Sequence, residues 1–292
     1  MNGVIVIDKD EKMTSFDVVA KMRRICGTKK VGHTGTLDPD ATGVLPVCIG
    51  NATRAADIMT GADKKSYRAV LRLGSATDTF DASGKVTKIS DASGISDGEI
   101  ERIISLFTGD IMQTPPMYSA IKVGGKKLYQ LAREGKTVEL EPRKVRIDSL
   151  KILGRNGNDV SLDITCSKGT YIRSLCNDIG EKLGCFAHMA ALRRTASGNF
   201  TEKEAVKLSC LTSENAKDYL VPTDRLFDYP AFKATGKQEY LIKNGVSAYC
   251  EGEEGLYRVY SESGAFLSVS EIVVIDGKKC LKLIKSFWGD GK

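Results

Sequence analysis

The amino-acid sequence predicts an α+β protein with a large first domain, residues 1–228, and a small β-domain, residues 229–292. The chain of 292 residues is longer than one average domain, which favours one large domain with a small one. Strand and helix patterns mix in the first domain without a steady βαβ alternation, which is typical of the α+β class. From Tyr229 onward the pattern changes to strands, with turns at residues 263–264 and 276–277.

A strand, a turn and a helix are predicted at the start of the chain. Residues 3–7 are apolar and branched, and residues 8–12 form the turn. Thr14 or Ser15 is the predicted N-cap of the helix, and Thr14 with Asp17 matches a capping box. The apolar residues of this helix share one face: Val18, Val19, Met22 and Ile25.

A polar loop follows the helix. Residues 32–43 contain three glycines, and residues 44–49 resume as a buried strand. Asp38 lies in this loop before Pro39, which biases the backbone of Asp38 toward an extended conformation. A carboxylate held rigidly in this way could act in catalysis. On spacing alone, however, a lone Asp-Pro pair is more typical of a hydrogen-bonded turn.

Further strands and two helices are predicted along the rest of the chain. The helices run around Ile100 to Phe107 and from Ile172 to the terminating Gly184, each with apolar residues on one face. A polar turn region is expected at residues 77–84. The strands are predicted at residues 67–73, 85–89, 159–166, 256–260, 265–275 and 280–287.

Composition excludes several classes of protein. The longest apolar runs are far shorter than the roughly 18 residues of a membrane span, and no secretory signal precedes residues 4–7, so a soluble cytoplasmic protein is expected. The eight cysteines contain no CxxC pair and are interpreted as buried, reduced thiols. No metal is assigned, because the possible ligands match no familiar zinc spacing: Cys185 and His188 with Cys166 or Cys176.

Positive charge is concentrated in one stretch. Residues 122–155 hold ten basic and four acidic residues, an excess equal to the net charge of +6 of the whole chain. Such a stretch would attract the phosphates of a nucleic acid. A solvated basic face explains the charge equally well.

The motifs around Asp38 resemble a known family. The stretch GHTGTLDPDATGVLPVCIGNATR is similar, nearly residue for residue, to the signature of the TruB family of bacterial tRNA pseudouridine-55 synthases. The resemblance spans most of residues 3–200 and implies a mixed, mainly antiparallel sheet flanked by helices and loops. The end of the chain resembles the family's small PUA-type RNA-binding domain more loosely. Further matching motifs are KKSYRAVLRLGSATDTFDASGKV, TPPMYSAIKVGGKKLYQLAREG, CSKGTYIRSLCNDIGEKLG and LRRTASGNF.

The resemblance implies an active site built on Asp38. This aspartate would act at the ribose, either as a nucleophile or by helping to form a glycal, and Arg173 would pair with it. Tyr67 would stack on the target uracil and assist removal of its C5 proton. Tyr171 and Leu192 would line the substrate pocket. Taken singly, Arg173 would be read as a surface residue and Tyr67 and Leu192 as core.

The resemblance also implies contacts to RNA. His33 would support the tRNA loop from which the target base is flipped. For this residue taken alone, a structural histidine that is hydrogen-bonded within its own protein loop is an equally good interpretation. Lys9 would contact phosphate or support the site, with a solvated lysine as the alternative. Residues 114–142 correspond to a thumb segment that closes over RNA. Its predicted hinges are Gly124, Gly125 and Gly135.

The implied function is isomerisation of uridine 55 in the T loop of tRNA. The implied partner is the T-arm of tRNA, without cofactor, metal, membrane or obligatory protein partner, and the protein is expected to act as a monomer. One alternative is a guide-RNA-dependent synthase of the Cbf5 or dyskerin type, and another is a non-catalytic RNA-binding or tRNA-folding factor. A carboxylate-based glycosidase is less favoured, because no second carboxylate is placed convincingly.

Overall fold

The computed structural model describes residues 1–58, 64–119, 121–136 and 138–289. The chain divides into two compact units. The first comprises Met1–Pro39, Gly43–Thr60 and Gly198–Lys292, and the second comprises Asp40–Thr42 and Gly61–Ser197. Within the described ranges, no helix has the length and apolar character that crossing a membrane requires.

The elements follow one another in this order. The strands are β1 Gly3–Lys9, β2 Val31–His33, β3 Thr42–Ile49, β4 Lys65–Leu73, β5 Ser75–Thr77, β6 Val86–Ile89, β7 Gly109–Gln113, β8 Lys122–Val123, β9 Lys126–Lys127, β10 Arg143–Asn156, β11 Asp159–Cys166, β12 Ala187–Ser197, β13 Phe200–Thr201, β14 Val206–Lys207, β15 Ala231–Lys233, β16 Ala248–Tyr249, β17 Gly255–Tyr260, β18 Phe266–Ile275 and β19 Lys278–Ser286. The α-helices are α1 Ser15–Ile25, α2 Asp97–Ser105, α3 Leu128–Arg133, α4 Ile172–Leu183 and α5 Gly236–Lys243. Short 3-10 helices occupy Gly50–Asp57, Glu202–Glu204, Leu208–Cys210, Ala216–Tyr219 and Thr223–Leu226.

In the first unit, β1 lies between β3 and β14. It is antiparallel to β3, with Lys9 opposite Gly43, and parallel to β14. Helix α1 follows β1 and begins as predicted: the Thr14 hydroxyl accepts a hydrogen bond from the Asp17 amide at 3.0 Å, and the Asp17 carboxylate accepts one from the Thr14 amide at 2.8 Å. This capping box satisfies two amides that a helix start would leave unpaired.

In the second unit, five strands form an antiparallel sheet in the order β12, β4, β11, β10, β7. Strand β11 has the predicted bounds and alternates between buried and half-buried residues. Helix α4 ends at Gly184, whose φ of 74° is the left-handed conformation that glycine tolerates. Strand β10, whose 14 residues begin inside the basic stretch and end at Asn156, was not predicted.

The end of the chain forms a second sheet, in the order β15, β17, β18, β19, β16. The turns at residues 263–264 and 276–277 are confirmed, whereas α5, with its own capping box at Thr235 and Gln238, was missed. Two core clusters hold this region. One lies within it, and the other joins it to β1 and β3 through residues such as Val4, Val44 and Phe287. The α+β class and the mainly antiparallel mixed sheet are thus confirmed, while the boundary at residue 228 stays a prediction.

The cysteines are free thiols, as predicted, but they are not all buried. Cys48, Cys166, Cys176, Cys185 and Cys280 are buried, whereas Cys210 is exposed. Burial raises the pKa of the Cys48 thiol to about 12, so it stays protonated near neutral pH. These buried thiols behave as small apolar core residues.

Candidate active site

The loop that carries Asp38 is anchored on both sides of this residue. On one side, the Leu37 amide donates to the Ser15 hydroxyl at 2.9 Å, and that hydroxyl is 3.3 Å from the Leu37 carbonyl oxygen. On the other side, the Pro39 carbonyl oxygen accepts from Lys9 at 2.9 Å and from the Met13 amide at 3.3 Å. Asp38 itself is half-buried. Its backbone is therefore held by the end of β1 and the start of α1.

Lys9 is the buried anchor of this loop. Its residue exposure is 0%, and its ammonium donates to the carbonyl oxygens of Asp10, Met13 and Pro39 at 2.9, 2.6 and 2.9 Å. A buried ammonium is stable only when its donors are used. The alternative interpretation of Lys9 as a solvated lysine is therefore wrong. The same burial disfavours the predicted contact of Lys9 with phosphate. Its hydrogen bonds instead support the loop.

His33 lies at the end of β2 beside an exposed aromatic residue. Its ring meets the ring of Phe16 edge to face, with centroids 5.9 Å apart and an angle of 85°. Phe16 is 71% exposed and lies in the first turn of α1, away from the buried face of that helix. Phe16 was not among the predicted site residues. The signal was an aromatic residue on the polar face of an amphipathic helix.

Arg173, in the first turn of α4, is buried and paired. It is 6% exposed, and its guanidinium forms an ion pair with Asp81 at 3.4 Å. The guanidinium also donates to the carbonyl oxygens of Thr79 at 3.2 Å and Tyr118 at 3.0 Å. The reading of Arg173 as a surface residue is therefore wrong.

Asp81 was missed by the sequence analysis although it lies in one of the matching motifs. Its Oδ1 accepts from the Thr79 hydroxyl at 2.7 Å and from the Ser83 amide at 3.0 Å, which organises the turn. Its Oδ2 pairs with Arg173. One carboxylate thus connects the turn after β5 to the first turn of α4.

The N-terminus of α4 is attached to the end of β7. The side-chain amide of Gln113, 2% exposed, accepts from the Tyr171 amide at 2.8 Å and donates to the Tyr171 carbonyl at 3.1 Å. The Ser174 hydroxyl donates to the Thr114 carbonyl at 3.0 Å. The predicted thumb starts at Thr114, so its first residue is tied to the helix that carries Arg173.

Tyr67 lies on the buried face of β4. It is 7% exposed, opposite Ile164 on β11 and opposite Arg194 on β12. Arg194, which was not among the predicted site residues, is 0% exposed and hydrogen-bonds to the Tyr67 side chain. Leu192, two residues before Arg194, is half-buried opposite Ala69.

The predicted thumb contains a hairpin and a short helix. Gly124, Gly125 and Gly135 have φ angles of 56°, 83° and 72°, which glycine adopts without strain. Residues 120 and 137 of this segment lie outside the described ranges. Among the described side chains of the basic stretch, residues 122–155, ion pairs with carboxylates are formed by Lys126, Lys136, Lys144, Arg146 and Arg155. The exposed pairs of this set contribute little to stability.

The predicted site residues divide between the units. Asp38, Lys9 and His33 belong to the first unit, and Tyr67, Tyr171, Arg173 and Leu192 belong to the second. The pairing of Asp38 with Arg173 stays a prediction. For the suggested metal ligands, His188 is hydrogen-bonded through Nδ1 to Ser75, and no metal-binding group of three ligands occurs in the described part of the chain.

Comparison with known proteins assigns the family. The model of the "TruB family pseudouridylate synthase (N terminal domain)" matches residues 23–172, and that of the "tRNA pseudouridylate synthase B C-terminal domain" matches residues 173–228. The chain is 48% identical to tRNA pseudouridine synthase B of Clostridium perfringens over 93% of this chain and 95% of that protein. It is 43% identical to that of Clostridium acetobutylicum over 97% and 100%.

Solved structures give the same fold assignment. The chain is similar to one from a crystal structure of a Cbf5-Nop10-Gar1 complex, with a TM-score of 0.76 and 25% identity over 99% of this chain and 85% of that chain. The family models together cover well over half of the sequence, and the clostridial proteins align with nearly all of it. This chain belongs to the TruB family of pseudouridylate synthases.

Proposed function

We propose that this protein is an isomerase that converts uridine 55 in the T loop of tRNA to pseudouridine without a cofactor or metal. The observation that carries the proposal is the Asp38 loop, which holds a half-buried carboxylate between two anchored neighbours. Membership of the TruB family supports it, because relatives 43% and 48% identical bear the name tRNA pseudouridine synthase B.

The reaction exchanges one bond at the ribose C1′ atom for another. The N1–C1′ bond breaks and its electron pair goes to N1. The uracil then turns, and C5 bonds to C1′. The C5 proton leaves, and N1 gains a proton. In this proposal Asp38 lies beside C1′ and either attacks it as a nucleophile or helps to form a glycal.

Arg173 and Tyr67 complete the proposed site. We expect the guanidinium to keep Asp38 ionised, because a nearby cation favours the charged form of a carboxylate where water is scarce. The Tyr67 ring stacks on the uracil and its phenol accepts the C5 proton. Tyr171 and Leu192 line the pocket around the flipped base.

The Arg173–Asp81 ion pair yields a prediction about rate. Asp81→Asn removes the charge that holds the guanidinium, and a displaced catalytic group can cost on the order of 100-fold in rate. We therefore expect single-turnover pseudouridine formation to slow about 10- to 100-fold with little change in tRNA affinity. Asp78→Asn, at an exposed position in the same turn, is the matched control. An Asp81→Asn protein with the parental rate would contradict the role of the pair.

Recognition of tRNA requires the target base to leave its stack. We propose that His33 braces the opened loop and that the thumb, residues 114–142, closes over the T-arm. The region from residue 229, interpreted as PUA-like, adds affinity for RNA. We further propose that the protein is cytoplasmic and acts as a monomer, with tRNA as its sole obligatory partner. Sedimentation of the free and tRNA-bound protein would test the monomeric state.

The exposed Phe16 ring yields a prediction about binding. An aromatic ring beside His33 can stack on an unpaired base, and loss of such stacking costs about 1–3 kcal/mol. Phe16→Ala is therefore expected to weaken tRNA binding by that amount, measured by filter binding. Phe16→Trp should retain affinity and Phe16→Leu should not, because only the aromatic face stacks. Equal affinities for all three variants would rule out stacking.

A guide-RNA-dependent synthase is the second candidate function, favoured by the TM-score of 0.76 to the chain from the Cbf5-Nop10-Gar1 complex. The identity of 25% to that chain is lower than the 48% to the clostridial tRNA enzyme, so the stand-alone function is preferred. The two candidates differ in what they require: only one acts on bare T-arm RNA.

The deciding experiment incubates the purified protein with a tRNA transcript labelled with tritium at C5 of uridine. Pseudouridine formation releases the label into water, and sequencing of the product locates the modified base. We expect release from the parent transcript and none from a transcript with cytidine at position 55. Release that requires an added guide RNA would support the second candidate. No release at all would favour a non-catalytic RNA-binding factor.

A further inference from the structure

Strand β12 places a fully buried arginine beside the proposed active-site tyrosine. Arg194 is 0% exposed and is among the largest fully buried side chains. Its neighbour Arg193 is half-buried and, because side chains alternate along a strand, it points to the other face. A buried guanidinium is costly unless hydrogen bonds or opposite charge compensate its lost hydration. Its partners therefore indicate why an arginine occupies this position.

One partner of Arg194 is the Tyr67 side chain. The two residues are opposite each other in the antiparallel pairing of β12 with β4, so their side chains share one face of the sheet. On the other flank of Tyr67 stands Ile164, which is fully buried and apolar. Burial lowers the pKa of the Arg194 guanidinium, and the charge and hydrogen bond of Tyr67 oppose this change. The phenol oxygen accepts from a donor that carries charge.

A cationic donor matters for the chemistry assigned to Tyr67. A phenol with its ordinary pKa of about 10 is protonated near neutral pH, and burial between apolar neighbours would disfavour its ionised form further. A protonated phenol cannot accept the C5 proton. An adjacent guanidinium stabilises negative charge on the phenol oxygen and also fixes the direction of its lone pairs.

We propose that Arg194 is a positioning residue that holds the Tyr67 phenol oxygen and stabilises its ionised form for removal of the C5 proton. This inference rests on the proposed function. In the step concerned, the C5–H electron pair forms the C5=C6 double bond, the C6=N1 π pair returns to N1, and the proton passes to the Tyr67 oxygen. N1 takes a proton in turn, so charge and protons balance.

A double-mutant cycle tests whether Arg194 acts through Tyr67. Arg194→Gln is expected to slow single-turnover pseudouridine formation about 10- to 100-fold, the lower part of the range for general base catalysis. In a Tyr67→Phe background, which has no phenol oxygen, the same change should cost less than about 3-fold. Equal losses in both backgrounds would overturn the proposal. If Arg194→Gln does not fold, as judged by circular dichroism, Arg194→Met, which also removes the cationic donor, replaces it in the cycle.

A kinetic isotope effect separates this role from a structural one. With tRNA that carries deuterium at C5 of the target uridine, R194Q should show a larger isotope effect than the parent, because proton removal becomes slower than the other steps. Arg193→Gln is the control on the opposite face and should leave the isotope effect unchanged. An R194Q isotope effect equal to the parental one would overturn the inference. A parent protein that forms no pseudouridine would overturn the proposed function itself, and this inference with it.

Discussion

Asp38→Asn is expected to abolish pseudouridine formation while tRNA binding persists. The amide has nearly the size of the carboxylate, so the anchored loop should keep its shape. It carries no charge, however, and cannot act as a nucleophile at C1′ or assist formation of a glycal. Because removal of such a group typically costs at least about 10⁴-fold in rate, product should fall below detection in the tritium-release assay.

The matched control for this prediction is a substitution of Asp40, two residues after Asp38. Asp40 is exposed in the same loop, and Asp40→Asn should retain the parental rate and the parental tRNA affinity. If Asp38→Asn formed pseudouridine at the parental rate, Asp38 would have no part in the mechanism. If both variants lost tRNA binding, the loop would have a role in recognition rather than in chemistry.

The elements that could be predicted from the sequence are those whose own periodicity defines them. Strand β11 alternates strictly and helix α1 has a capping box, and both signals are local. Strand β10 was missed because its basic residues obscure any alternation, and its pairing with β7 and β11 decides its conformation. Helix α5 was missed because it is short and lies among strand patterns.

The residues of the candidate site also differ in whether the sequence alone could predict them. Asp38 was found because a long motif surrounds it, although its spacing alone indicated only a turn. Asp81 and Arg194 were missed because their roles depend on partners distant in the chain, Arg173 and Tyr67. In LRRTASGNF, two adjacent arginines look equivalent. Only the register of β12 with β4 separates the buried Arg194 from Arg193.

Substitution of Lys9 tests whether the anchored Asp38 loop is needed for catalysis. Lys9→Met keeps the length and the apolar stem of the side chain but leaves three carbonyl oxygens without their charged donor. Hydrogen bonds to charged groups contribute about 1.5–3 kcal/mol each, and relief of the buried charge offsets part of their loss. We expect the free energy of unfolding to fall by about 2–4 kcal/mol, measured by guanidinium unfolding.

The effect of Lys9→Met on activity should follow from the loop rather than from RNA contact. Because Lys9 is fully buried, we expect the single-turnover rate to fall while tRNA affinity changes little. Lys12→Met, at an exposed lysine in the same turn, should change stability by less than about 0.5 kcal/mol. A Lys9→Met protein that is as stable as the parent but binds tRNA poorly would reverse this assignment, because that result requires the ammonium to meet phosphate.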